Sequence, residues 1–436
     1  MASNRRSFLA RLAAAGTVLT AAPERIAALA VTQRTRACDQ NGLPLSIKGP
    51  LPLEFWHDLR KEFLIPPDEA FFNTGTLGAS PRIVREAVID HMNHVDRDIA
   101  HWDYKADHEQ YFTGYAQELW VREKLARLIN AEPAEVALTQ NATFGMNFIG
   151  NGLDLGLGAE VIVQDNAHPG GRCGWQLRDK RYGANVKLIH LPAAPRDPAS
   201  IIKTYEDATT PQTRVWTIAH LTSSDAIVFP VNELCRRARE RGIYSVVDGA
   251  QTLGHFAIDV KAMGCDAYFS SPHKWLLAPK GTGLLYLRSD FAPKVWSTLA
   301  STEWDNHTVG AYRLMQYGTG NLSLLKGLEK AIDFHVQLGP KRVEERIIGL
   351  ADRLRAGLQQ INGVQIYSSL HPEIRSATTI WGIRGMPGGQ IQDELWNRSK
   401  VRVRAVGEGV RHCCHIYNLE EEVDRALATI RVLAKA

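Results

Sequence analysis

An aspartate and a lysine set the chemistry this chain could perform. Ser245–Val247 is a short β-rich run that delivers Asp248 at its C-terminal end, and Cys265–Ser271 is a second that delivers Ser271, His273 and Lys274. The residues between them can form a crossover beginning near Ala250–Leu253. A carboxylate at one strand end and an amine just past the next suit a cofactor with an aldehyde at one end and a basic ring nitrogen at the other. Pyridoxal 5′-phosphate (PLP) is such a cofactor: a lysine forms the Schiff base and a carboxylate holds the pyridinium proton. Charged residues stand at strand ends in any α/β protein, so the pair gains weight from whatever else reaches the same edge.

Upstream, Val136–Thr139 reads as a strand and Phe144 onwards as a helix. The helix start between them, with the Ala142 backbone and the Thr143 hydroxyl, could hold an anion. Many strand–helix junctions look alike, and the position before the Asp–Lys unit is what suggests a phosphate. Glu160–Asp165 is a further strand, followed by a loop carrying His168. Such a histidine can stack on an aromatic cofactor and move protons, or it can simply bond its own backbone. Arg214–Leu221 is another strand, ending at His220.

Strand and helix alternate from residue 136 to 288 with short connections, which predicts a mostly parallel sheet covered on both faces. Ligands bind such sheets at the carboxyl ends of the strands. Thr143, His168, His220, Asp248 and Lys274 all fall there. Before this region, Ser80-Pro81 reads as the N-cap and first residue of a helix that buries Val84, Val88, Met92, Val95 and Ile99. After residue 300 the pattern becomes mixed. Leu322–Leu338 and Val343–Ile361 read as helices split by Gly339-Pro340, Ser376–Ile383 and Val401–Val406 as strands. Asn418 then resembles the N-cap of a final helix, with Glu421 closing a capping box. The expected fold is α/β: an N-terminal segment (31–64), a large domain (65–300) and a smaller α+β domain (301–436).

Bulk properties exclude other classes. The 436 residues carry a formal charge of +4. Arg5, Arg6, Arg11 and Arg25 against Glu24 place +3 of that in the first thirty residues, leaving no basic surface to suggest nucleic acid. Six scattered cysteines show neither metal-ligand spacing nor a disulfide framework. Arg5-Arg6-Ser7-Phe8-Leu9, the apolar run Leu12–Ala22 and the small-x-small pattern Ala28-Leu29-Ala30 read as a twin-arginine (Tat) signal over residues 1–30. That reading implies contact with the Tat translocase, export in the folded and loaded state, and a periplasmic location.

With these residues assembled, the chain from about Phe71 to the C-terminus resembles the class V aminotransferase family of fold-type I PLP enzymes. The resemblance rests on Val247-Asp248-Gly-Ala-Gln251 and Ser271-Pro-His273-Lys274. It implies that Lys274 holds the cofactor and moves the substrate's α-proton, that Asp248 keeps the pyridine nitrogen protonated, and that Gln251 bonds the ring 3′-oxygen. It further implies that His168 stacks on the ring, with Trp175 at the desulfurase His–Trp spacing, and that Ala142, Thr143, Ser271 and His273 bind the phosphate. Tyr317-Gly318-Thr319 resembles a segment that reaches the partner subunit's phosphate, implying a homodimer. Arg411 matches the arginine that grips the substrate α-carboxylate, a bidentate task lysine cannot perform; a surface arginine in a ladder with Arg402 and Arg404 is the plain alternative.

The departures are informative. Asn141-Ala142 replaces a Gly-Thr pair of desulfurases, and Pro272 stands where glycine is common. The stretch between Arg404 and Arg411 is too short for the loop that carries a desulfurase's catalytic cysteine. The implied function is therefore an exported PLP enzyme, isopenicillin N epimerase-like, acting at the α-carbon of an amino acid or an amino-acid residue of a peptide natural product. An exported family member that tailors the glutamyl group of a siderophore is a fair analogy. An ordinary aminotransferase or C–S lyase is the alternative enzyme reading, and a non-catalytic PLP-fold binding protein the alternative of another class.

Overall fold

A computed structural model describes residues 51–101, 120–191 and 197–435. The Tat reading of residues 1–30 and the segment 31–50 lie outside the described residues.

The described residues begin with α1 (Leu53–Arg60) and β1 (Ala70–Phe71), then α2 (Arg82–Asp98) and α3 (Trp120–Leu128). Alternation follows: β2 (Val136–Thr139), α4 (Ala142–Gly152), β3 (Glu160–Gln164), α5 (Pro169–Tyr182), β4 (Asn185–Ile189) and α6 (Pro198–Ala208). It continues through β5 (Thr213–Ala219), α7 (Val231–Glu240), β6 (Tyr244–Asp248), α8 (Val260–Met263), β7 (Ala267–Ser270) and β8 (Gly283–Leu287). These strands form a seven-stranded sheet in the order β2-β8-β7-β6-β5-β3-β4, and only β8 runs antiparallel to its neighbours. Strands β2, β3, β7 and β8 are buried at every position, as two covered faces require. Side chains alternate between the two sides, so Val246, Ala267 and Phe269 join one apolar cluster and Val247 and Tyr268 another. Registers Ala219↔Asp248 and Asp248↔Phe269 bring the carboxyl ends of β5, β6 and β7 level.

The second half adds α9 (Ser323–Leu338), α10 (Pro340–Gln359), β9 (Val364–Ile366), β10 (Thr378–Ile383), α11 (Gly388–Ser399), β11 (Val401–Arg402), β12 (Arg404–Val406), β13 (Gly409–Cys413) and α12 (Glu420–Leu433). An antiparallel sheet in the order β12-β13-β10-β9 carries this part. The N-terminal residues belong to it physically: β1 pairs with β11, and Trp56, Leu59, Phe63 and Phe72 share a core with Leu354, Trp381 and Val410. Helix α9 ties the halves together, with Leu328 and Ile332 in the first core and Phe334 and Leu338 in the second. The segment 73–78 runs along the seam, since Asn73 bridges Cys413 while the Gly78 N–H donates to the His273 carbonyl at 2.9 Å.

Three local expectations shift. Pro81 rather than Ser80 caps α2, because the buried Ser80 hydroxyl donates to the Ala278 carbonyl at 3.2 Å. The α2 stripe is only partly buried: Val84 and His91 are covered and His91 meets Ser323 at 2.9 Å, while Met92 and Ile99 remain exposed. Helix α12 starts one residue later than expected, with Leu419 as its cap and Glu422 reaching back to the Leu419 N–H. Asn418 instead accepts from the His415 N–H and donates to the Phe71 carbonyl, so its side chain staples the chain ends.

Candidate active site

Strand β6 ends at Asp248, whose Oδ1 accepts the Ala250 N–H at 2.9 Å. Burial pushes this carboxyl above its ordinary range, opposed by the Ala250 bond and the charge of Lys274. Lys274 follows β7, and burial pulls its amine down to about 8. Asp248 and Cys413 act upward on it and Arg411 downward. An amine so depressed spends far more time as a neutral nucleophile than an exposed lysine does.

Close backbone approach frames this pair. A Cβ at Gly171 would lie 2.4 Å from Asp248 Oδ2, and one at Gly78 would lie 2.0 Å from the Lys274 carbonyl oxygen. A Cβ at Gly170 would meet Thr143 Oγ1 at 2.6 Å, so the starts of α4 and α5 converge beside Asp248. Asn141 caps α4 by accepting the Phe144 N–H at 3.2 Å, leaving Thr143 exposed in the first turn. The buried Ser271 hydroxyl accepts the Ala142 N–H at 3.0 Å, joining the loop after β7 to that helix start.

The histidines differ. His168 caps α5: its Nδ1 accepts the Gly170 N–H at 3.0 Å, which leaves the proton on Nε2 of the neutral ring. Burial and the charges of Lys274, Arg411 and Arg404 depress its pKa. His273 sits 3.3 Å from the Thr282 carbonyl through Nδ1, which must therefore donate, and burial pulls its pKa to about 4. A phosphate oxygen at His273 Nε2 would have to bring a second proton to this ring. His220 turns into the core, its Nδ1 without a partner among the described residues and its ring beside Phe256 and Tyr268. Trp175 is likewise buried in the core rather than lining the cleft.

Gln251 is held at both ends of its amide. Its Nε2 donates to the Gly75 carbonyl at 2.9 Å, and its Oε1 accepts the Trp275 Nε1–H at 2.8 Å. One amide N–H remains for a ligand. Arg411, on β13, is buried. Its Nη2 donates to Thr76 Oγ1 at 2.6 Å and to Asn73 Oδ1 at 3.1 Å, and its Nη1 reaches the Ser223 carbonyl at 3.4 Å. Among the described residues its Nε has no partner. Thr319 stands apart, in an exposed turn after Gly318 (φ 99°).

His168, Ala219, Asp248, Gln251 and Lys274 line one cleft with Asn166, Leu221, Thr222 and Ser223. The donor set fits PLP: a depressed lysine for an aldehyde, a carboxylate kept clear by Gly171 for a ring nitrogen, a spare amide N–H, and an exposed helix start with a free hydroxyl for a phosphate. Sequence reasoning missed Asn73, Gly75, Thr76 and Trp275. The signal for the first three was the Gly-rich run Phe71–Ser80, which shows a turn but not what the turn crosses.

A model of the class-V aminotransferase family matches residues 77–432. The chain belongs to that family. It is thus a PLP-dependent enzyme of this class. It is 29% identical over 391 residues to an isopenicillin N epimerase of Streptomyces clavuligerus (85% of this chain, 96% of the relative), and 30% identical over 403 residues to one of Amycolatopsis lactamdurans (87% and 99%). A probable cysteine desulfurase of Methanothermobacter thermautotrophicus is 25% identical over 401 residues, 86% of this chain and 98% of that one. Among solved structures, a lysine-to-alanine mutant of C-DES with glycine covalently linked to the PLP cofactor superposes with a TM-score of 0.76 at 22% identity, covering 85% of this chain and 98% of that one. At that identity the likeness shows the fold.

Proposed function

We propose that this class-V enzyme is exported and acts at the α-carbon of an amino acid, or of an amino-acid residue within a peptide natural product. The observation that carries this reading is the buried guanidinium of Arg411, which has no counter-ion among the described residues and lies near Lys274. A charge removed from water without a counter-ion is costly, and an incoming α-carboxylate would supply one. The similarity to isopenicillin N epimerases over nearly their whole length supports α-carbon chemistry that leaves the amino group in place.

Bound PLP supplies an electron sink that acidifies the bonds at the α-carbon. The chain's residues do the rest. Lys274 would attach the cofactor and would take or return the substrate's α-proton. Asp248 would hold the proton on the ring nitrogen, Gln251 would donate to the ring oxygen, and His168 would cover the ring. Ala142, Thr143, Ser271 and His273 would form the phosphate corner, His273 by taking up a second ring proton at Nε2, and Arg411 would orient the substrate carboxylate. The turn from Gly407 to Glu408 that closes β12 onto β13 carries no cysteine, and Cys413 and Cys414 are fully buried. Both facts favour this reading over cysteine desulfuration.

Export follows from Arg5-Arg6 and the apolar run behind them. A homodimer follows from the exposed Thr319 turn, offered to a partner's phosphate corner, and finds support in the exposed Ile89 and Met92 of α2 and Ile99 just after it. The test is a panel of amino acids with loaded protein in D2O, with α-proton exchange and chirality followed by NMR. Exchange with retention of the amino group supports the proposal. Stoichiometric keto acid formation would favour the aminotransferase alternative, sulfide or pyruvate release a lyase, and no exchange with any substrate a binding protein.

A further inference from the structure

We propose that Arg404 is a specificity determinant and that the substrate is an α-amino acid bearing a second carboxylate; this rests on the amino-acid reading above. Arg404 and Arg411 are directly opposite on the antiparallel pair β12–β13, so their side chains leave the same face. Both reach one hydroxyl: Thr76 Oγ1 accepts from Arg411 Nη2 at 2.6 Å and lies 3.5 Å from Arg404 Nη1. That hydroxyl spends its own proton on Asn73 Oδ1 at 2.9 Å. Two guanidinium groups thus face one neutral oxygen, and among the described residues neither makes an ion pair with a carboxylate. Like charges directly opposite on paired strands repel, and an anion held between them would relieve that repulsion.

The field extends into the cleft. The charges that act on His168 are Lys274, Arg411 and Arg404, all of one sign, so Arg404 belongs to the same electrostatic site although its side chain is exposed. A single carboxylate can satisfy the fork of the buried Arg411. It leaves Arg404, nearer the mouth, uncompensated. A second carboxylate projecting from the same substrate towards solvent meets it there. The depth difference assigns the roles: Arg411 takes the α-carboxylate close to Lys274, and Arg404 the distal one.

The experiment titrates PLP-loaded protein with aspartate, glutamate and 2-aminoadipate, and with asparagine, glutamine and norleucine as uncharged counterparts. Binding is read from the change in the visible absorbance band. The wild type is expected to bind at least one diacid about two- to fivefold more tightly than its uncharged counterpart, the range an exposed guanidinium–carboxylate contact supplies. Arg404→Gln should abolish that ratio, Arg404→Lys should restore part of it, and Arg411→Gln should weaken diacid and counterpart alike. Equal binding of charged and uncharged ligands by the wild type overturns the proposal. So does an Arg404→Gln effect that is the same for both, which would mark a structural arginine. A visible band that no amino acid perturbs would sink the amino-acid reading itself, and this inference with it.

Discussion

The indole Nε1–H of Trp275 donates to Oε1 of Gln251 at 2.8 Å, while Gln251 Nε2 donates to the Gly75 carbonyl at 2.9 Å. Trp275 follows Lys274 in sequence, so one turn of chain supplies both the amine and the clamp on the amide beside it. With the oxygen end fixed, the spare N–H of Gln251 has one orientation. Trp275→Phe keeps the ring but frees the amide to rotate, and costs about 1–2 kcal/mol of stability for the buried acceptor left unpaired. The expected result is a displaced visible band and weaker PLP retention on dialysis, with circular dichroism unchanged.

Gly171 is a steric requirement. A Cβ there would sit 2.4 Å from Asp248 Oδ2, well inside contact distance. Gly171→Ala should turn the carboxylate out of place or push α5 away, at about 1–3 kcal/mol. Cofactor affinity is expected to fall by more than about tenfold, the equivalent of some ~1.4 kcal/mol, while thermal unfolding remains cooperative. Gly349→Ala, where nothing lies within 4 Å, is the matched control and should change neither.

Attachment of the cofactor needs the neutral amine of Lys274. Because burial lowers that amine to about 8 from its usual 10.5, the rate of PLP uptake should rise with pH and level off above about 8. Asp248 holds the amine up, so Asp248→Asn should move the midpoint lower. Stopped-flow uptake across roughly pH 6 to 10 checks both directions, and a midpoint near that of free lysine would contradict the burial argument.

Acid should destabilise the fold early. Burial pulls His220 and His335 to about 4 and His412 and His415 to about 3, whereas the unfolded chain protonates them near 6.5. Below about 6.5 the unfolded state therefore binds more protons, and stability falls as pH drops towards those folded values. Each group contributes up to ~1.4 kcal/mol per pH unit over that window. Urea midpoints measured from about pH 7.5 to 5 should decline steeply, and His412→Asn should flatten the decline.

Much of this site was legible because strand ends are legible. Asp248, Lys274, His168 and Thr143 could be placed from alternating apolar runs, since a parallel sheet gathers its carboxyl ends on one edge. His220 met the same criterion yet points into the core, because alternation of side chains along a strand is not fixed at its last residue. The Asn73–Thr76 contacts to Arg411 could not be read at all. They depend on a β1–β11 pairing between the two ends of the chain, and no local pattern encodes so distant a partner. The α2 stripe misled for a related reason: Met92 and Ile99 have helical spacing, but α9 covers only the Val84–His91 side.

The central claim is that Lys274 carries the cofactor in a cleft built to act on an α-carbon. Reduction of the loaded protein with borohydride, followed by peptide mass mapping, tests it most directly. The prediction is a visible band that bleaches on reduction, one pyridoxyl group per chain on the peptide containing Lys274, and neither feature in Lys274→Ala. A label on another lysine, or a variant that still holds the chromophore covalently, would contradict the account.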